Sequence, residues 1–381
     1  MQQDSDLFNL AWAALKHWLP VEVLEEKLDT ARRELGRVNI LVAGKTGVGK
    51  STVINAVFGE AVSETGKGRP VTQKLTKYEP ADLPIRLWDT KGLEAENFHE
   101  TLNAVEHVVR EAAASGKVGD RVHIAWVCIN ERSNRVEPAD ERLAELCLRH
   151  ELPVIVVLTQ SFDPDEFATE VRRLLPKVAA IVPVMAEAFR KPPIPTSGLP
   201  ELVAETLRLL PEAARRAFTA AQQIDMNLKR SAAMKIAVTG SAAAALAAAI
   251  PVPGMAPPAV LAATAAMVTS IAVVMGVRLD QKTIVALGTS VAGSLALTVV
   301  GRMLFGEALK FIPGLGTIAG VAIDATIVAA TTYGVGVAFT EFLIAFFNGH
   351  QRMPDATELG AGFSAFWNKR KVKAIKPPPV V

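Results

Sequence analysis

The stretch Gly44-Lys45-Thr46-Gly47-Val48-Gly49-Lys50-Ser51 fits the pattern G-x-x-x-x-G-K-S/T, and its neighbours fit the context that pattern needs. Before it, Val38-Asn39-Ile40-Leu41-Val42-Ala43 is an apolar run that predicts a buried strand. After it, Thr52-Val53-Ile54-Asn55-Ala56-Val57-Phe58 predicts a helix. Glycines let such a loop curl until backbone N–H groups converge on phosphate oxygens, and the helix N-terminus adds its positive dipole end. Lys50 then reaches the β- and γ-phosphates, and the Ser51 hydroxyl ligates Mg²⁺. Gly44 to Thr52 are therefore the candidate nucleotide-binding residues.

At 381 residues the chain has room for about two domains. The formal charge of +2 is nearly balanced, so no overall field points to nucleic acid. Cys128 lies in a strand pattern and Cys147 in a helix pattern, too far apart for a C-x-x-C motif. No disulfide framework or zinc site is visible, which suits a reducing cytosol. Residues 1–20 carry acids and lack an apolar run with a cleavage site, so no secretory signal is expected. Residues 1–36 read as a helical extension. Leu7, Leu10, Trp12, Leu15, Trp18 and Leu19 form an amphipathic stripe, Pro20 breaks it, and Val21 to Leu35 resumes as a charged helix. The first piece either lies at a membrane surface through its tryptophans or packs on its own protein.

Residues 37–215 alternate strand and helix. Strands are expected at Ile85–Trp88, His123–Ile129, Pro153–Thr159 and 180–184, with helices near 98–114, 138–150, 164–175 and 198–208. The segment Ser63 to Lys77 reads only as polar and glycine-bearing. The alternation predicts an α/β fold, a mostly parallel sheet with helices on both faces. Asp89-Thr90-Lys91-Gly92 closes the 85–88 strand: an acid there can hold Mg²⁺ through water, and Gly92 can offer its N–H to a γ-phosphate. Between the two motifs, Thr72 offers a hydroxyl to Mg²⁺ when its loop closes. The metal set is thus Ser51, Thr72 and Asp89, and the catalytic set Lys50, Thr72 and Gly92.

With these motifs, residues 37–205 resemble the translation-factor-like P-loop GTPases of the Era/TrmE/septin-like branch. They also resemble a bacterial family of GTPases that carries a hydrophobic C-terminal domain of unknown function. Gly44–Ser51 looks like the first guanine-nucleotide motif, Thr72 the second and Asp89–Gly92 the third. The fourth, normally N-K-x-D, is Thr159-Gln160-Ser161-Phe162, with Asp163 one place late. The fifth is Met185-Ala186-Glu187. The resemblance implies that Thr159, Gln160 and Ala186 meet the base, that GTP or GDP with Mg²⁺ is the ligand, and that guanine is the base. Leu93 stands where Ras-like relatives place a water-orienting glutamine, which implies slow hydrolysis without an activator. Gly47 stands where potassium-activated relatives carry asparagine. Arg132 and Arg135 lie beyond the 123–129 strand and read either as neutralising charges or as solvated loop arginines.

The second half differs in kind. From Ile236 to Val277 there is no charged residue, and Pro251 to Pro258 divides the stretch. Thr283–Gly301 is a third apolar segment. Phe311–Phe347 is a fourth, interrupted by Asp324 and Glu341. A bilayer-spanning helix takes about 20 apolar residues. Lys229, Arg230 and Lys235 precede the first pair, Arg278 and Lys282 come after it, and Lys369-Arg370-Lys371 opens a basic tail, as for hairpins entering from the cytoplasm. A soluble alanine-rich bundle is the competing reading. The proline–glycine pairs at 253–254 and 313–314, with Gly276 and Gly336, suggest a duplicated hairpin.

The chain thus reads as four regions: a helical extension (1–36), a P-loop GTPase domain (37–215), an all-α, alanine- and glycine-rich hydrophobic domain (216–350) and a basic tail (351–381). The expectation is a Mg²⁺-dependent GTPase switch coupled to a membrane-associated domain. Its expected place is the cytoplasm, at the cytoplasmic face of the inner membrane or inserted in it. Expected partners are guanine nucleotide, a membrane lipid or membrane protein and a second copy of the chain, with no specific nucleic acid. A weakly hydrolysing membrane scaffold and a P-loop ATPase are the alternatives.

Overall fold

The computed structural model describes residues 21–59, 62, 69–72, 75–80, 83–90, 98–114, 120–162, 165–190, 193–249, 256–277, 283, 319–350 and 354–370. The tryptophan-bearing stripe of residues 7–19, the 283–301 segment beyond Thr283 and the basic tail beyond Arg370 lie outside them. Helix α1 (Val21–Leu35) buries Leu24, Leu28, Ala31 and Leu35 at helical spacing and exposes its charges. The chain divides into two compact units, one of Leu35–Met226 and one of the remaining described residues.

The Leu35–Met226 unit is built on a seven-stranded sheet. In chain order it contains β1 (Val38–Ala43), α2 (Lys50–Phe58), β2 (Arg69–Thr72), β3 (Leu75–Tyr78), β4 (Ile85–Thr90) and α3 (Phe98–Ala114). Then come β5 (Ile124–Asn130), α4 (Pro138–Arg149), β6 (Val154–Thr159), α5 (Asp165–Leu174), β7 (Ala180–Val184), the short hairpin β8 (Phe189–Arg190) and β9 (Pro193–Ile194), α6 (Leu199–Leu209) and α7 (Glu212–Ala221). The sheet order is β2-β3-β4-β1-β5-β6-β7, parallel from β4 to β7 and antiparallel across β2-β3-β4. The chain winds away from β1 in both directions, so the carboxyl ends of β1 and its neighbours form a switch point, where ligands of open α/β sheets bind.

The expected strands and helices are in place. The β2–β3 hairpin is new, rising from the segment that read only as polar. Strands of four residues hold too few alternations to register as a period-2 pattern, yet Leu75 and Thr76 are buried against β4.

Both sheet faces are covered, which is why β1 and β6 are buried along their whole length. On one face Leu41, Val127, Val156 and Leu158 pack with Val105, Leu143, Leu146, Phe167 and Val171 of α3, α4 and α5. On the other, Trp126 stacks on Phe58 at 5.9 Å between ring centroids, and Phe218 meets Phe58 edge-on at 6.0 Å. The indole N–H of Trp126 donates to Thr206 Oγ1 at 3.1 Å, the partner a buried indole needs. Asn39, polar within an apolar run, is tied to the strand's surroundings: its backbone N–H donates to His123 Nδ1 at 2.9 Å and its amide nitrogen to Arg121 O at 2.7 Å.

The second unit is helical: α8 (Met226–Ala248), α9 (Ala256–Met275), α10 (Ala319–Gly349) and α11 (Phe363–Arg370). Ala233, Ala237, Ser241, Ala244 and Ala248 make a buried small-residue stripe on α8. Contact is close where side chains vanish: a Cβ on Gly240 would stand 2.5 Å from Met267 Cγ, and one on Gly336 2.8 Å from Ala237 Cβ. The Lys229 ammonium donates to Met275 O at 3.1 Å, at the C-terminal end of α9. Arg230 pairs with Glu341 at 2.5 Å, which accounts for the charge interrupting α10. Phe339, Phe342 and Phe363 cluster where α10 meets α11. Among the described residues, three helices, Met226–Ala248, Pro258–Met275 and Ala325–Gly349, are long and apolar enough to cross a membrane.

One buried acid gives this architecture a pH signature. Asp140, in the first turn of α4, accepts the Glu137 backbone N–H at 3.1 Å, yet burial pushes its carboxyl up to about 6. A raised carboxyl favours the folded state at low pH, and that contribution is lost as pH rises through about 6. Asp140→Asn should therefore flatten the stability profile. Thermal unfolding of the wild type, relative to the variant, falls between pH 5 and pH 8; parallel profiles would contradict this.

Candidate functional site

The loop from Gly44 to Gly49 leaves the buried end of β1 and turns into α2. Gly44 adopts φ +148°, and a Cβ there would stand 2.4 Å from the Cys128 carbonyl oxygen of β5. No side chain fits, so the loop can cross the sheet edge only with glycine at this position. Gly47 (φ +77°) and Gly49 (φ +99°) make the remaining turns, and Gly49 is the N-cap of α2 with no side chain capping it. The first N–H groups of α2 are thus left without a side-chain cap at the loop, the arrangement that receives anions.

Lys50 is buried, and its ammonium donates to Gly44 O and Lys45 O, both at 2.9 Å. The charge is held inside the curl of the loop. Lys45 points elsewhere, pairing with Glu137, and that ammonium holds the Glu137 carboxyl below the usual carboxylate range. Thr46 and Gly47 are exposed at the tip, and Ser51 and Thr52 are exposed on the first turn of α2.

Strand β4 brings the second motif alongside. Asp89 is buried opposite Val42 of β1, and the Gly44 N–H donates to Thr90 Oγ1 at 3.3 Å, which ties the end of β4 to the loop. Thr72 ends β2, with its backbone paired to Leu75. Gly92, Leu93 and Asp163 lie outside the described residues. The hydroxyl of Ser51 and the carboxylate of Asp89 are hard oxygen donors, the chemistry Mg²⁺ takes, and few of them suffice for an ion that keeps waters and phosphates as its other ligands. Among the described residues no cluster of three or more His, Cys, Asp or Glu offers a dedicated metal cage.

Beside the loop lies a cavity of about 780 Å³, within the usual range for small-molecule sites. Gly49 and Thr52 line it from the α2 side, Thr159 and Gln160 from the end of β6, and Ala186 from the end of β7. Residues expected to meet a base are therefore gathered beside those expected to meet phosphate. The Thr159 hydroxyl donates to Val48 O, bonding the β6 loop to the phosphate loop. Gln160 adopts a left-handed φ of +52°.

Two features were not foreseen from sequence. Glu131, just past β5, is buried; its carboxylate accepts from the Ser161 hydroxyl and, at 3.1 Å, from the Phe162 N–H. It shapes the loop that carries the altered fourth motif. Arg132 lies over the Phe189 ring at 5.8 Å, within the same cavity. Arg135 is exposed and pairs with Glu137 at 3.1 Å.

Comparison with known proteins agrees with this geometry. Residues 39–160 match the family model described as 50S ribosome-binding GTPase. A 129-residue segment is 30% identical to GTPase Der of Rhizobium meliloti, covering 32% of this chain and 25% of that protein. A 71-residue segment is 42% identical to Translocase of chloroplast 108 of Physcomitrium patens, covering 18% of this chain and 6% of that one. The solved structure of Toc33 from Arabidopsis thaliana, in complex with GDP and Mg²⁺, is 19% identical over 56% of this chain and all of that chain, with a TM-score of 0.32. The chain thus spans a quarter or less of the length of these two curated relatives. Together with the mostly parallel sheet and the loop, the match identifies a P-loop GTPase domain, succeeded by a helix-rich C-terminal region.

The two loop glycines separate strain from collision. Gly47→Ala meets nothing within 4 Å and carries only the left-handed backbone penalty, about 1 kcal/mol. Gly44→Ala adds a clash with a backbone oxygen and should cost clearly more, about 2–4 kcal/mol. Denaturant unfolding of both variants checks the order; equal losses would contradict it.

Proposed function

We propose that this chain is a Mg²⁺-dependent GTP switch that hydrolyses GTP slowly and passes its nucleotide state to the hydrophobic helical unit at a membrane. The observation that carries the reading is the buried Lys50 ammonium, held by the Gly44 and Lys45 carbonyls of the loop that leads into the uncapped N-terminus of α2. In this reading Lys50 neutralises the β- and γ-phosphates, and Gly44 to Thr52 supply backbone and hydroxyl donors. Ser51, Thr72 and Asp89 would hold Mg²⁺, which would supply positive charge against the phosphates. Gly92 meets the γ-phosphate, and Thr159, Gln160 and Ala186 meet the base. Leu93 orients no water, so hydrolysis waits on a group supplied from elsewhere.

The membrane part rests on the three apolar helices and on α8, of which 28% of the candidate span is buried within the protein while Leu246 is 75% exposed. An apolar helix left this open in water suits a lipid surface or a membrane protein, or a second copy of the chain. The remaining basic flanks favour a nucleotide domain on the cytoplasmic side of an inner membrane.

Lys50→Ala should weaken GTP binding by about 100-fold or more, since charge-assisted bonds to phosphate are lost. Full-length protein should float with anionic vesicles, and Leu246→Glu should reduce the floating fraction. Unchanged GTP affinity in the lysine variant would overturn the nucleotide reading. Protein that stays at the bottom of the gradient, soluble and monomeric, would overturn the membrane reading.

A further inference from the structure

The position that reads guanine in the resembled fourth motif is here Phe162, which is 62% exposed and accepts nothing from a base through its ring edge. The nearby buried carboxylate of Glu131 already receives the Ser161 hydroxyl and the Phe162 N–H, so it serves the loop. Yet the cavity does contain an acid. Glu187, from the loop after β7, lines it and is exposed, and it is the one carboxylate among the described lining residues.

Its placement is well supported on both sides. Just before it, Met185 exchanges two backbone hydrogen bonds with Ser197, each 3.0 Å. Just after it, Phe189 and Arg190 pair with Ile194 and Pro193 in the β8–β9 hairpin. The opposite wall is fixed as well, because Thr159 is bonded to Val48 and the Ser161 N–H donates to Val184 O at 3.2 Å. Ala186, Glu187 and Ala188 thus line the same cavity as Gly49 and Thr52.

We infer that Glu187 is the specificity-determining residue of the nucleotide site, its carboxylate accepting the N1–H and 2-amino donors of guanine. This rests on the nucleotide reading above and names the group that selects the base. A carboxylate only accepts, so it pairs with the two donors on guanine's edge and meets a lone pair on adenine N1. Gln160 cannot discriminate in this way, because its amide carries both a donor and an acceptor and can turn to suit either purine. Arg132 only donates and lies on Phe189.

The test uses full-length protein and equilibrium binding of GTP, ATP and xanthosine triphosphate in Mg²⁺, comparing wild type, Glu187→Gln and Asp163→Asn. Wild type should favour GTP over ATP by about 10- to 100-fold, the worth of hydrogen bonds to a charged group. Glu187→Gln exchanges one acceptor for a donor. It should lose most of that preference and gain affinity for xanthosine triphosphate, whose C2 carbonyl accepts from the new amide. A folding defect cannot produce that gain. Asp163→Asn should leave the preference intact. Two results would overturn the assignment: an unchanged GTP preference in Glu187→Gln, or its collapse in Asp163→Asn. Wild type that binds GTP and ATP alike would overturn the guanine reading beneath it as well.

Discussion

Position 44 has no room for a Cβ. The carbonyl of Cys128 occupies the space, and the backbone there turns at a positive φ. Because the loop can pass so close to β5, its carbonyls fold inward onto the Lys50 ammonium, and α2 begins directly over the sheet edge. That helix is held at its far end too. Gln223 donates its backbone N–H to Val57 O at 2.8 Å and its amide to Phe58 O at 3.2 Å, and Phe58 stacks on Trp126. A loop that must grip phosphate rests on a strand and a helix that cannot shift without breaking a packed core.

The rest of the site is assembled by tying further strand ends to that loop. Thr90 anchors β4 and Thr159 anchors β6, each through one hydroxyl and one loop backbone group. The resembled motif carries asparagine at the second of these positions. Threonine holds that place here, its hydroxyl bonded to Val48 O. Glu131 then shapes the 160–162 turn, and the cavity beside the loop is left lined mainly by apolar groups with few polar ones, as ligand pockets usually are.

Much of this could be read from the chain alone, for physical reasons. Gly44–Ser51 is legible because the steric and charge demands of phosphate leave few alternatives, and the β-strands flanking it are legible because burial on both faces demands continuous apolar runs. The β2–β3 and β8–β9 hairpins are not, being two to four residues long and partly polar. Glu131 is also hidden, since a single acid after a strand looks like any solvated loop residue until the fold buries it. The same holds for Gly336, whose offset from Gly276 hints at repetition, and for Gly240: the role of both is close helix contact around Met267. Lys229 and Arg230 read as flanking charges. The fold turns one inward onto the α9 terminus and the other onto Glu341, so part of the apparent positive flank holds the helices together.

The central claim is that this loop and its metal ligands hold a guanine nucleotide. Equilibrium binding of GTP to the full-length chain, with and without chelation of Mg²⁺, tests it most directly. The account predicts saturable one-to-one binding that weakens sharply when the ion is removed. Binding that is absent, or indifferent to the ion, would contradict it.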